Sequence, residues 1–207
     1  MMHGVTQMRL LVFTDTHGSI KAEDRIIKKA KRNKPDLMLC CGDFTIFMHE
    51  PDRFLKRMNE IGIPLFLIHG NHEDEEDIEI IAKKYHNITF LHNKAIRHKD
   101  VIVMGYGGDG FSLKDPAFKK VAKVFQKELF QHPDAIQVLL LHQPPHKSGI
   151  DLIYGEHAGN MTTKEFVEKH KVHVVFAGHL HENSGKEHKD THTRYVNPGP
   201  YGKIITL

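Results

Sequence analysis

Aspartate, asparagine and histidine recur in this chain where apolar runs stop. Residues 9–13, Arg-Leu-Leu-Val-Phe, are too short a run for a buried helix and predict a core strand. The run halts at Asp15-Thr16-His17-Gly18. On an extended backbone, residues i and i+2 point to one side, so Asp15 and His17 could both aim at a point beyond the strand end. A carboxylate oxygen beside an imidazole nitrogen suits a divalent transition metal better than Mg or Ca. Four later runs stop in a similar way, at Gly42-Asp43, Gly70-Asn71-His72, His142 and Gly178-His179-Leu180-His181. Singly, each has an ordinary explanation: a helix-capping turn, a Gly-Asp or Gly-Asn turn, a strand-end histidine. Together, each at the same place on its own strand, they point to one shared site.

The elements that must position these residues follow from periodicity. A helix is predicted over 19–34, with Ile20, Ile26, Ile27 and Ala30 on one face and Lys and Arg on the other. Strand 36–41 stops at Gly42-Asp43, helix 51–60 carries Phe54, Leu55 and Met58, and strand 63–68 runs into His69-Gly70-Asn71-His72. Asp15, Asp43 and Asn71 are equally spaced, about one strand–helix–strand step apart. A third helix spans 74–84, and short strands at 88–91, 94–98 and 101–106 mark a turn to antiparallel topology. Asp115-Pro116 opens a helix as N-cap and first-turn proline, with Phe118, Val121, Ala122, Phe125 and Leu129 facing the core. Strand 136–141 ends at His142, and Thr162-Thr163-Lys164-Glu165 reads as a capping box. Strand 172–177 meets Gly178-His179, and strands at 195–196 and 203–207 close the chain around Asn197-Pro198-Gly199-Pro200. In open α/β sheets the ligand site lies at the carboxyl ends of the strands, so these ends could converge.

Length and composition bound the rest. At 207 residues, 40% of them hydrophobic, the chain suits one core and predicts a single domain over 1–207. The net charge is +3 with neutral histidines, and the basic run at 28–34 reads as the solvated end of a helix. With no Trp and scattered positive charge, the chain carries no strong nucleic-acid signature. Cys40 and Cys41 would face opposite sides of a strand, which argues against a disulfide between them. No signal sequence and no membrane-length apolar run is visible, so a soluble cytoplasmic protein without membrane association is expected. Histidine is abundant, and most of it lies outside any motif, so abundance alone proves nothing.

The order of the motifs resembles the calcineurin-like metallophosphoesterases, whose pattern is D-x-H, GD, GNH followed by Asp or Glu, a later H, and GHxH. Here these read Asp15-Thr16-His17, Gly42-Asp43, Gly70-Asn71-His72-Glu73, His142 and Gly178-His179-Leu180-His181. His142-Gln143-Pro144-Pro145, the 155–159 segment and Asn197-Pro198-Gly199-Pro200 look closest to the compact subgroup that includes class III cyclic nucleotide phosphodiesterases. The resemblance implies an α/β fold of two facing mixed β-sheets flanked by helices, with the motifs at one edge. It also implies two divalent metal ions. Asp15, His17, Asp43 and His181 would hold one, and Asp43, Asn71, His142 and His179 the other, with Asp43 bridging. Two cations roughly 3.5–4 Å apart can share a hydroxide nucleophile and stabilise both attacking and leaving oxygens. The mixed N/O shell favours Mn, Fe, Ni, Co or Zn. His72, next to a ligand, would sit at the rim and protonate the leaving oxygen or bond a phosphoryl oxygen.

Substrate contacts are expected on the long loops at 44–50, 105–114 and 143–161, with His146 and the Gly107-Gly108 pair as candidates. No inserted cap is visible, which predicts an open site. The flanking positions Thr16, Phe44, Glu73, Gln143 and Leu180 supply no cation to clamp a monoester dianion. The expected activity is therefore Mn-supported hydrolysis of small phosphodiesters, with cyclic nucleotides among the candidate substrates. A nucleotide phosphomonoesterase or nuclease is the main alternative, and a non-catalytic scaffold on the same fold a further one.

Overall fold

Alternation along the first strand sets the layers. The computed structural model describes residues 7–108 and 110–207; residues 1–6 of the predicted domain and Asp109 of the predicted 105–114 loop lie outside the described residues. In β1 (Arg9–Phe13), Leu10 and Val12 pack into a core between two sheets, while Leu11 and Phe13 pack toward helices. In β2 (Leu37–Cys40), Leu37 and Leu39 face inward and Met38 and Cys40 face the helices. Cys41 joins the inner core and Cys40 the outer, and both are free thiols, as the side-of-strand argument expects.

The first half continues through α1 (Ile20–Asn33), which precedes β2, then α2 (Pro51–Asn59), β3 (Leu65–Leu67), α3 (Glu75–Ala82) and β4 (Ile88–Phe90). The chain then enters a second sheet through β5 (Lys94–His98) and β6 (Val101–Tyr106), followed by α4 (Pro116–Gln131) and β7 (Ile136–Leu141). A hairpin, β8 (Leu152–Ile153) and β9 (Glu156–His157), precedes α5 (Met161–His170) and β10 (Val174–Ala177). A 3-10 turn (His181–Asn183), β11 (Glu187–Lys189), β12 (Arg194–Val196) and β13 (Lys203–Thr206) complete it.

The first sheet has the order β13-β1-β2-β3-β4, parallel apart from β13. The second has the order β11-β12-β10-β7-β6-β5, parallel in its centre and antiparallel at both edges. The antiparallel turn predicted from 88 onward thus begins at β5, because β4 still pairs parallel with β3. Ile26, Phe54, Leu55, Met58 and Ile78 cover the outer face of the first sheet, and Phe118, Phe125, Phe166 and Val167 that of the second. The result is the expected α/β architecture of two facing mixed sheets flanked by helices. Among the described residues no helix is long and apolar enough to cross a membrane.

Asp115 caps α4 as predicted, its Oδ1 accepting from the Ala117 and Phe118 amides. The capping box at Thr162 does not form. Asn160 caps α5 instead, accepting from the Thr162 and Thr163 amides. Asn is the stronger cap, and the Thr162 hydroxyl is taken by the amide of Asp115, which ties the starts of α4 and α5 together.

Candidate metal centre

Parallel pairing carries the motif loops past the strand ends in register. The Cys41 amide donates to Phe13 O, Asp15 to Gly42 O, and His17 to Asp43 O. On the second sheet the Gly178 amide donates to His142 O. The two sheets are stitched together where the His179 amide donates to the Asp15 carboxylate at 3.1 Å. The His72 amide donates to Asp43 Oδ1 at 3.0 Å, which fixes the third motif on the second.

Convergence has a different origin from the one the sequence suggests. Asp15, His17, Asp43 and His179 all have positive φ, from 44° to 64°, so none of these strand ends is extended. Left-handed turns, and not side-of-strand parity, aim Asp15 and His17. Such a conformation costs an L-residue roughly 1–2 kcal/mol, and strain of this kind clusters where function demands it. Two glycines permit the close approach. A Cβ on Gly70 would fall 2.1 Å from Asp43 Oδ1, and one on Gly178 2.0 Å from Thr14 Oγ1.

The predicted residues come together. Asp15, His17 and His181 form one group whose donor atoms lie within 4.8 Å of one another; His17, Asp43 and His72 form a second, and Asp43, His142 and His179 a third. Asp43 Oδ2 lies 3.4 Å from His142 Nε2, 3.9 Å from His17 Nε2 and 4.0 Å from His72 Nε2. Asn71 Oδ1 is 3.0 Å from His142 Nε2, and His181 Nε2 is 3.6 Å from Asp15 Oδ1. A cleft of about 280 Å³ opens beside Asp15, His17 and His181, walled by Ser184, Asn197 and Pro200. His146 enters none of these groups: it is half-buried, its ring 5.4 Å from that of His157.

The donor chemistry fits divalent cations. His17 Nε2 and His181 Nε2 stand 3.0 Å apart, a spacing at which two lone pairs repel unless a proton or cation lies between them. His179 Nε2 is buried without a hydrogen-bond partner. His142 Nδ1 donates to Cys41 O at 2.9 Å, which turns its Nε2 toward Asp43 and Asn71; without metal that atom carries a hydrogen for these oxygens, and on losing it the ring has the arrangement of a metal-ligating imidazole. His72 is held the other way. Its Nδ1 accepts from the Phe47 amide at 3.3 Å, so the neutral ring carries hydrogen on Nε2 and offers no lone pair there.

Protonation in the metal-free chain follows the same geometry. Burial pushes His179 down to about 4 and lowers His17 as well, the latter against the raising effect of Asp43 and Asp15. Burial also opposes charge on His142, but its hydrogen bond and charge pairing with Asp43 hold it up at about 9. Burial works against ionisation of Asp43 too, and His142 with the His72 amide still holds it at about 2. The bond to Asp15 raises His181.

Two features go beyond the sequence reading. Glu73, in the sequence only a motif neighbour, is a buried clamp that accepts from the amides of Asp43 (2.9 Å), Gly70 (2.8 Å) and Thr45 (2.8 Å) and from the Thr45 hydroxyl (2.8 Å). The acid after Gly-Asn-His is its only signal. A fourth group, His69, Glu75 and His92, shares no residue with the others. His92 Nδ1 accepts from the Gly107 amide at 2.9 Å, which leaves its Nε2–H facing Glu75 at 3.4 Å and no lone pair for a cation. The Gly108 amide donates to His69 O, so both amides of the Gly107-Gly108 pair are already engaged.

Comparison with known proteins agrees with this arrangement. The sequence model of the calcineurin-like phosphoesterase family matches residues 8–183. The probable glycerophosphodiester phosphodiesterase GpdQ of Arcobacter nitrofigilis is 24% identical over 160 residues, which cover 73% of this chain and 58% of that protein. The chain therefore spans less than two thirds of that relative's length. Protein TT1561 of Thermus thermophilus superposes with a TM-score of 0.75 at 16% identity, covering 98% of this chain and 99% of that one. A dimetal phosphatase from Danio rerio superposes at 0.66 with 11% identity, over 91% and 86% of the two chains. At such identities the structural likeness speaks for the fold alone. With the family match running from β1 through all five motifs, the chain belongs to the calcineurin-like phosphoesterase family, whose members use divalent metals.

Proposed function

We propose that this chain is a dinuclear metal-dependent phosphodiesterase acting on small phosphodiesters. The observation that carries the reading is the set of three ligand groups that overlap through His17 and Asp43. Asp15, His17, Asp43 and His181 would hold one cation, and Asp43, Asn71, His142 and His179 the other. Asp43 suits the bridge because a carboxylate has two oxygens and full negative charge, and its low pKa keeps it ionised. The nitrogen-rich donor set favours Mn, Fe, Ni, Co or Zn. When bound, such a pair supplies Lewis-acid charge that lowers the pKa of water and neutralises phosphoryl oxygens.

The protein's own groups do the rest. His72 stands in the second group beside His17 and Asp43 but is assigned no cation, because the Phe47 amide at its Nδ1 leaves Nε2 with a hydrogen and no lone pair. Its Nε2–H is free to bond a phosphoryl oxygen or the leaving oxygen as negative charge develops there. Glu73 holds the Asp43 and Gly70 loops at fixed separation, so ligands from two motifs are preset before a cation arrives.

Diesters are favoured over monoesters by charge. Among the described residues, the ion pairs of Asp15 and Asp43 are all with histidines, and no Lys or Arg joins them. A diester monoanion needs no further clamp, whereas a monoester dianion would gain from one. The name of the Arcobacter relative, a probable phosphodiesterase, supports the same reading. The test is hydrolysis of bis-p-nitrophenyl phosphate against p-nitrophenyl phosphate with each metal. The diester is expected to have the higher kcat/KM with Mn, and EDTA to abolish both activities. A monoester preference with every metal would assign a phosphatase instead.

A further inference from the structure

We propose that Phe47 and Phe111 are specificity-determining residues that select phosphodiesters bearing a planar aromatic group, such as a nucleobase; this rests on the diesterase reading above. Both side chains are largely exposed, at 77% and 72%. Scattered exposed apolar side chains are ordinary, but these two are not scattered. The Phe47 ring lies 4.4 Å from that of His72, and the Phe111 ring 4.4 Å from that of His179. His72 stands in the group with His17 and Asp43 and His179 in the group with His142 and Asp43, and the two meet at Asp43. Each flank of the centre therefore carries an exposed aromatic wall.

The backbone holds both rings out. Phe47 and Met48 have φ of 45° and 61°, a conformation rare for bulky residues. The Phe47 amide donates to His72 Nδ1, the Met48 amide to His72 O at 3.0 Å, and the Asp74 amide to Met48 Sδ at 3.2 Å. Phe44, three residues earlier, shows the alternative: it is fully buried and stacks on Phe54 at 4.7 Å. On the other flank, Gly110 lets its loop lie directly on His179, since a Cβ there would fall 2.3 Å from His179 Cε1. That contact seats Phe111 beside the ring.

Aromatic faces of this kind stack on any base without reading its edge. Fixed beside the residues that would bind the phosphoryl group, they would grip a ring one sugar away from it. A glycerol-type diester has no such ring, so this preference departs from the aliphatic substrate in the Arcobacter relative's name.

Three diesters with a common p-nitrophenolate leaving group test this on the Mn-loaded full chain: the methyl, octyl and thymidine 5′ esters of p-nitrophenyl phosphate. The thymidine ester is expected to exceed the methyl ester about tenfold in kcat/KM, the order expected of one stacked base. That ratio should collapse in the Phe47→Leu/Phe111→Leu double variant and survive in Phe47→Tyr. Calorimetric titration with adenosine monophosphate and ribose 5-phosphate gives a readout free of turnover. The base-bearing ligand should bind about tenfold tighter, and the double variant should lose the difference. A ratio near one, a ratio unchanged in the double variant, or an octyl ester as good as the thymidine ester would overturn the proposal, the last by showing that apolarity and not planarity is read. Failure to hydrolyse any of the three with any metal would instead strike the diesterase reading, and the titration would still decide the role of the rings.

Discussion

Histidine does three different jobs in this chain, and the bond at one ring nitrogen decides which. His142 gives its Nδ1 hydrogen to a carbonyl and turns Nε2 to Asp43 and Asn71, His72 receives an amide at Nδ1 and becomes a donor, and His92 receives one and turns to Glu75. Asp43→Asn is therefore expected to lose metal and activity together, because the amide cannot bridge two cations. His72→Ala should keep its metal and lose turnover by about 10²–10³-fold, mainly in kcat, the order expected for removing one hydrogen-bond donor to the transition state. Metal analysis beside steady-state kinetics separates the two; loss of metal in His72→Ala would make it a ligand. The Asp43–His142 pair also sets a pH dependence. A cation must displace the proton that His142 holds up to about 9, so metal affinity should rise with pH and level off above that value. Without metal the sign reverses for stability. The raised His142 contributes stability that is fully present below 6.5 and lost as pH rises through about 9. Titration calorimetry in buffers of different ionisation enthalpy would register the released proton, and none released at pH 7 would contradict the pairing.

Among elements, the loops and not the strands carry the information that sequence alone could not supply. The ligand types are legible because each stands where an apolar run ends. Extended geometry suggests their convergence, yet it comes from left-handed turns at Asp15, His17, Asp43 and His179, which periodicity does not report. The Glu73 clamp is illegible because its partners at 43 and 45 come from a different loop. Thr162 misleads because a capping-box pattern says nothing of a rival cap two residues earlier or of a distant amide claiming its hydroxyl. The β8–β9 hairpin and β11 are short and exposed or half-exposed, and so leave no alternation to see. Glu73→Ala strands three buried amides and is expected to cost on the order of 3 kcal/mol in chemical denaturation. It should also weaken metal binding, since the Asp43 and Gly70 loops lose their common anchor. An unchanged metal affinity would show that the loops hold their places without it.

At the scale of the molecule, the candidate centre draws its residues from two facing sheets. Asp15, Asp43 and Asn71 follow strands of the first sheet, while His142, His179 and His181 follow strands of the second. The inner core of Leu10, Val12, Leu39, Val138, Leu140 and Phe176 fixes their separation. That architecture is legible in outline, because alternating strands and helices with motifs at strand ends leave few arrangements. The central claim is that both sheets contribute to one shared pair of cations through Asp43. It is tested most directly by loading the full chain with Mn and recording metal content together with its electron paramagnetic resonance spectrum. Two Mn per chain with an exchange-coupled signal is the predicted result. One Mn per chain, or two that are magnetically independent, would contradict it.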